Sequence, residues 1–394
     1  MRTSKRGNGD GSIYQRESDG RWVGAVSLGV VGSKPIRRTV YGDTQREVVA
    51  KMTKLKEDHR QQLPVAADRQ TMADYLDHWI ENVARLRLRF NTFGAYREIV
   101  KLHLKPALGK TKLIDLTVDH CDALWRQKLK ENLSPRRVQY VRAVLRTALQ
   151  SAVKKGKIAR NVASLSDCPR IERQEVEPLT VAETRKLIEK VRGNKYETVF
   201  LLAIFLGLRR GEILGLTWSN VKLDEGIIHI KRQLQTLKKE DMEGLIGAKD
   251  MIFVGKNNAL VPLKTKKSHR TLELTPLLAA KLKGIKARQA SFRIAAEEWP
   301  EHDLVFTHED GRAICGRMIT LAWHNALSAA KLPKKRFHDA RHGAGSTLLE
   351  LGVDLKTVSS WLGHSTVQLT ADVYLHSRRV TLGEAGTKLD KVYS

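Results

Sequence analysis

Cysteine is scarce in this chain. Cys121, Cys168 and Cys315 stand far apart with no CxxC pair, which argues against a disulfide framework and against a cysteine zinc site. No run of about eighteen apolar residues occurs, so a membrane span is not expected. The opening stretch MRTSKRGNGDGS lacks the apolar segment that a secretory signal needs. A soluble, cytosolic protein is the expectation. Acidic residues are the other shortage: 43 Asp plus Glu face 70 Lys plus Arg, a formal net charge of +27 and a pI near 10.1. Such an imbalance costs self-repulsion, and a polyanionic partner is the usual reason it is tolerated. The excess is spread over the beginning, middle and end of the chain, so every segment is expected to touch nucleic acid.

What is present divides into three. At 394 residues the chain exceeds one typical domain, and 41% hydrophobic residues suffice for real cores. Residues 1–63 alternate in a strand-like way around Ile13, from Arg21 to Leu28 and from Pro35 to Tyr41, with Asp19-Gly20 and Gly32-Ser33 as turns. A polar helix starts after Thr44, a suitable N-cap, so this segment reads as three strands and a helix. Residues 64–177 become helical from Thr71: Tyr75, Trp79 and Val83 recur at four-residue spacing, as do Trp125 and Leu129. Ser134-Pro135 marks a helix start, with Val138, Val141, Val144, Leu145 and Leu149 as its apolar stripe. Arg136, Arg137, Arg142 and Arg146 lie off that stripe, either as a solvated face or as a phosphate-facing surface. Residues 178–394 mix helices with short strands, one from Gly226 to Lys231 and one from Ser268 to Leu274. The segment 235–261 between them reads as an enlarged hairpin. The fold class expected is α+β, mainly α: a small β module, a helical domain, and a mostly helical domain with a small antiparallel sheet.

Chemistry concentrates in the last segment. Breaking a phosphodiester without hydrolysing it requires a nucleophile, cations around the five-coordinate phosphorus, and an acid for the departing sugar oxygen. Gly207-Leu208-Arg209-Arg210-Gly211-Glu212 places Arg209 at a corner between helices, where a guanidinium can give two parallel hydrogen bonds to a phosphate. Glu212 is suited to anchoring an arginine or capping its helix. His338-Asp339-Ala340-Arg341-His342 puts His338 and Arg341 three residues apart on one helical face. The His338/His342 spacing also suits zinc, but Arg341 between them disfavours a metal. Trp361-Leu362-Gly363-His364-Ser365 precedes Thr370 and Tyr374-Leu375-His376. A phenol of pKa about 10 is a weak nucleophile until cations or a base favour its phenolate. A tyrosine alone would be read as core; these neighbours change that reading.

The order GLRxGE, HDxRH, LGH and then a tyrosine about ten residues on resembles the tyrosine recombinases, the phage-type integrases. The motifs span the last half of the chain, and their shared order is far more specific than any one of them. The resemblance implies that Arg209 and Arg341 clamp the scissile phosphate and that His338 handles the proton. It further implies that His364 contacts phosphate and that Tyr374 forms a 3′-phosphotyrosyl link, with neither metal nor ATP. It assigns the leaving-group acid to a hairpin lysine, for which Lys264 is the match and Lys266 or Lys267 are alternatives. His342 and His376 read as structural. Residues 71–153 resemble the helical core-binding domain of the family. The N-terminal module resembles its three-stranded arm-binding domain, with Arg16, Arg21, Arg37 and Arg38 as DNA contacts in the major groove and Trp22 as core. The implied partners are double-stranded DNA at core and arm attachment sites, a homotetramer in synapsis held in part by the region after Tyr374, and accessory DNA-bending or excision factors. The implied setting is the cytoplasm of a bacterial host, at the nucleoid. Alternatives at this point are a type IB topoisomerase-like relaxing enzyme and a non-catalytic DNA-binding regulator.

Overall fold

Three antiparallel strands open the computed structural model, which describes residues 12–31, 34–60, 70–171, 177–237, 250–263, 265–364 and 366–374. The chain divides into two compact units, residues 1–173 and 174–394. Among the described residues no helix is long and apolar enough to cross a membrane.

In the first unit, β1 (Ser12–Gln15), β2 (Trp22–Val31) and β3 (Lys34–Gly42) form a meander in that order. The Asp19-Gly20 turn closes because Gly20 takes φ +69°, which a residue without Cβ adopts freely. Helix Gln45–Arg60 starts where expected: Thr44 Oγ1 accepts the Glu47 N–H at 3.2 Å. Its Val48 and Met52 pack on Val26 of β2, with Trp22 and Val40 at the rim, so Trp22 is a packing residue.

A separate cluster in the same unit is helical. Met72–Trp79, Phe90–Ile99, Val118–Lys130 and Pro135–Lys154 bury Tyr75, Leu76, Trp79 and Trp125 with the stripe Val138, Val141, Val144, Leu145 and Leu149. Ser134 caps the longest of these helices and Pro135 opens it. Buried polar ends find partners: Tyr75 donates to Ala148 O at 2.6 Å, and Trp125 Nε1 to Ser166 Oγ at 3.1 Å. Leu129 departs from the expected pattern. It is exposed, because Val118–Lys130 buries Cys121, Leu124 and Trp125 and turns Leu129 outward.

The second unit is built around the apolar helix Glu197–Leu206, whose Phe200 meets Trp323 and Phe337 edge-on or tilted at 5.5 and 6.4 Å. Thr180 caps the helix Val181–Val191 through a reciprocal bond with Glu183. The small sheet expected here is two sheets of three antiparallel strands. One runs β4 (Val221–Lys222), β5 (Ile227–Ile230), β9 (Arg270–Glu273); the other runs β6 (Arg232–Thr236), β8 (Asn258–Pro262), β7 (Ile252–Phe253). The enlarged hairpin is therefore the β6–β8 pair, with Arg232 opposite Pro262 and Thr236 opposite Asn258. Helices Pro276–Ala295, Gly316–Ala329, Asp339–Glu350, Leu355–Leu362 and Val367–Tyr374 also belong to this unit.

Candidate active site

Two left-handed glycines shape the site. Helix Glu197–Leu206 ends at Gly207 (φ +61°), and helix Leu355–Leu362 ends at Gly363 (φ +66°). Each turn releases the chain into a short corner, the first holding Arg209 and the second His364. The corners are tied together through Arg341, which projects from Asp339–Glu350. Its Nη1 donates to Gly207 O at 2.8 Å and its Nη2 to Leu362 O. A Cβ on Gly207 would sit 2.5 Å from Leu362 Cδ2, so the two helix ends meet only because this residue has none.

Arg209 is the N-cap residue of Arg210–Leu214, and its side chain is about a third exposed. Its backbone N–H donates to Glu212 Oε2 at 3.1 Å, its Nη1 to Glu212 Oε1 at 2.6 Å, and its Nη2 approaches Gly363 O at 3.5 Å. Glu212 thus does both things expected of it, capping the helix and anchoring an arginine. It is 1% exposed and takes a second cation, Arg270 Nη2, at 2.9 Å. Burial alone would raise the Glu212 carboxyl, but Arg270 and then Arg209 hold it below its ordinary value.

Burial and neighbouring cations favour the neutral form of the site histidines. His338 precedes the first turn of Asp339–Glu350 and meets His342 edge-on at 5.1 Å. His338 is exposed, but partial desolvation at the corner, then His342, Arg341 and Arg209, push its pKa down to about 4. The ring is therefore uncharged near neutral pH and has a nitrogen free to take a proton. Burial, then Arg341 and Arg209, push His364 down to about 3. Its Nδ1 lies 2.8 Å from Oγ1 of Thr370. His342 is also lowered, mainly by burial. Asp339 turns away from all three toward Arg336, at 2.7 Å.

Arg209, His338, Arg341 and His364 therefore come together from three stretches of sequence. Arg341, expected to clamp the scissile phosphate, is 1% exposed and turned onto the two corner carbonyls. Tyr374 is the last residue of Val367–Tyr374, the helix that begins three residues after His364. Its side chain, Lys264 and His376 lie outside the described residues, as does the region after Tyr374. Lys264 falls between β8 and β9; Lys267, in the 3₁₀ turn Lys266–Ser268, is exposed. Sequence reasoning passes over Arg270 and leaves Thr370 without a role. A basic residue opening a four-residue strand was the available signal for the first, and the LGH-to-tyrosine interval for the second.

The described part of this site lies inside a matched region. The pattern of the phage integrase family matches residues 170–380, more than half of the chain. The chain belongs to the phage integrase family. The integrase N-terminal SAM-like domain also matches, over residues 71–130, within the helical segment. An integrase of Saccharopolyspora erythraea is 28% identical over 95% of both chains. A XerC-like tyrosine recombinase of Caldanaerobacter subterraneus is 28% identical over 87% of this chain and 88% of its own. The Tn1549 transposon integrase, solved with a circular intermediate DNA, has a TM-score of 0.68 at 17% identity, covering 82% of this chain and 99% of that one. A lambda integrase tetramer bound to a Holliday junction gives 0.56 at 16% identity over 94% and 96%. These likenesses show the fold. As a tyrosine recombinase by family, this integrase is a site-specific DNA strand-exchange enzyme.

The eight arginines expected to face DNA separate by their contacts. Arg142 donates to Ala163 O at 2.9 Å and to Ser164 O and Ser166 O at 3.0 Å, so it holds a loop. Arg137 is half-buried, 3.7 Å from Glu98, while Arg136 and Arg146 are exposed. In the small sheet Arg16 pairs with Asp19 and lies over the Tyr41 ring at 5.5 Å. Arg21 is 3.6 Å from Asp43, and Arg37 and Arg38 are exposed.

Proposed function

We propose that this recombinase cuts and rejoins DNA through Tyr374, with no metal ion and no ATP in the reaction. The observation that carries the reading is the convergence of Arg209, His338, Arg341 and His364 at two helix corners directly ahead of the Tyr374 helix. Arg209 contacts the scissile phosphate directly, while Arg341, buried behind it, supplies charge and fixes both corners. Neutral His338 accepts the phenolic proton as Tyr374 attacks phosphorus, and His364 contacts a non-bridging oxygen. The bond to the 5′ oxygen breaks, and Lys264 protonates that oxygen. The 3′-phosphotyrosyl link keeps the energy of the broken bond. A 5′ hydroxyl from the partner strand then attacks it, expelling the tyrosine and resealing DNA.

Three functional segments accompany this chemistry: residues 1–63 bind arm sites, 64–177 close on the core site, and 178–394 catalyse. Four copies act in synapsis on two duplexes, with accessory DNA-bending or excision factors setting direction. The test is a nicked core-site substrate that loses its 5′-hydroxyl fragment on cleavage and traps the adduct. Wild type should give a covalent protein–DNA band whose modified peptide contains Tyr374, and Tyr374→Phe should give none. An adduct at another residue, or hydrolysis without adduct, would overturn the reading. Efficient relaxation of a plasmid lacking attachment sites would favour a topoisomerase instead.

A further inference from the structure

We propose that Thr370 is a positioning residue that sets the tautomer of His364, so that His364 presents an N–H to the scissile phosphate. This rests on the proposed reading of His364 as a phosphate contact. Thr370 is fully buried, at 0% exposure, and its Oγ1 lies 2.8 Å from His364 Nδ1. It stands on helix Val367–Tyr374, four residues before Tyr374, and so one turn away along the same helix.

A neutral imidazole carries one N–H and one bare nitrogen, and the bond made by one nitrogen decides the state of the other. His364 is neutral here because burial and the two arginines oppose its charge. Two arrangements fit the 2.8 Å contact. If Nδ1–H donates to Thr370, the threonine's own proton needs a second acceptor in a fully buried place. Among the described residues His364 Nδ1 is the partner found for that hydroxyl. A hydroxyl that donates to Nδ1 is satisfied, whereas a buried O–H left unmade costs its desolvation. Thr370 therefore donates, the proton sits on Nε2, and His364 meets an anionic oxygen with a donor. The opposite tautomer would present a lone pair to a negative charge. The same bond links the Gly363 corner to the helix that ends at Tyr374, so phosphate contact and nucleophile share one support.

The test uses the full chain with ¹⁵N-labelled histidine and three variants, Thr370→Val, Thr370→Ser and His364→Gln. The nitrogen shifts that vanish in His364→Gln identify His364 and report its tautomer directly. Wild type and Thr370→Ser should show Nε2–H. Thr370→Val, isosteric without the hydroxyl, should lose the fixed tautomer and cleave about tenfold more slowly, the rate equivalent of one ordinary hydrogen bond, with unchanged DNA affinity. An Nδ1–H tautomer in wild type would overturn the proposal. So would Thr370→Val with wild-type cleavage, or Thr370→Ser as slow as Thr370→Val, which would mark a packing role. Wild-type cleavage by His364→Gln would overturn the site reading itself, and it is seen independently of the tautomer spectrum.

Discussion

At Glu212 one buried carboxylate answers two guanidinium groups, Arg209 at 2.6 Å and Arg270 at 2.9 Å. Arg270 is itself almost buried and also donates to Trp361 O at 2.8 Å, so the carboxylate connects the strand β9 to both helix corners. Removing one partner of such a group leaves an uncompensated buried charge, which costs about 3–5 kcal/mol. Glu212→Gln should therefore lower the free energy of urea unfolding by about that amount and slow cleavage as well; a loss near zero would mean that Arg270 finds another acceptor. The histidines give a prediction in pH. His338 and His364 titrate near 6.5 when unfolded and are depressed to about 4 and about 3 in the fold. Between those values the unfolded chain binds more protons, so stability is full above about pH 6.5 and is lost as pH falls toward the folded values. Glu212, also depressed, adds loss in the same direction lower down. The melting temperature of DNA-free protein should drop from pH 7 to pH 5, and a His338→Gln/His364→Gln double variant should flatten that slope. Equal slopes would show that other groups control acid stability.

Among the elements, the long helix Pro135–Lys154 shows what a pattern can and cannot reveal. Its start and apolar stripe were legible, because capping by Ser134 and the spacing of Val138 to Leu149 are local chemistry. The same holds for Thr44 and Thr180 at their helix starts. Arg142 and Arg146 look alike in sequence, both off the stripe, yet Arg142 faces the loop 163–166 and Arg146 faces solvent. That difference is set by chain segments about twenty residues away, which no helical period records. Arg142→Ala should then destabilise the helical cluster by roughly 1–3 kcal/mol while leaving the salt dependence of DNA binding unchanged. Arg146→Ala should leave stability unchanged and reduce the slope of log K against log salt by about one if it meets a phosphate. Reversed outcomes would restore Arg142 as a DNA contact. The candidate-site motifs stood out for another reason: Arg209, His338, Arg341 and His364 sit in short, ordered strings that resemble a family. Arg270 did not, since its carboxylate partner lies 58 residues away and Trp361, whose carbonyl it also reaches, lies 91 away. Arg341's burial was equally hidden, being a property of two helix ends that meet through Gly207.

For the whole molecule, charge of +27 spread over every segment favours several weak DNA contacts acting together rather than one strong one. The N-terminal sheet is the separate contact proposed above. Arg38 lies opposite Val26, on the face that carries the helix Gln45–Arg60, whereas Arg37 lies opposite Ser27 on the open face. Tyr14 and Tyr41, both opposite Val23, share that open face and are about half exposed, and Arg16 sits over Tyr41. On the proposed arm-binding reading the sheet would enter a major groove by its open face, which would put Arg37 at DNA and Arg38 at the flanks. Arg37→Ala should weaken binding to arm-site DNA by about 1–3 kcal/mol, whereas Arg38→Ala should cost less. Because the sheet holds none of the cleavage residues, adduct formation on an isolated core-site substrate should be unchanged by Arg37→Ala. Recombination between complete attachment sites should fall, since losing the arm contact removes the local concentration that a second binding site provides. Gel shifts on separated arm and core duplexes, run beside adduct formation and full recombination, measure all four quantities. If core-site cleavage by Arg37→Ala fell as far as recombination, the sheet would be acting within the catalytic complex rather than as a second, independent grip on DNA.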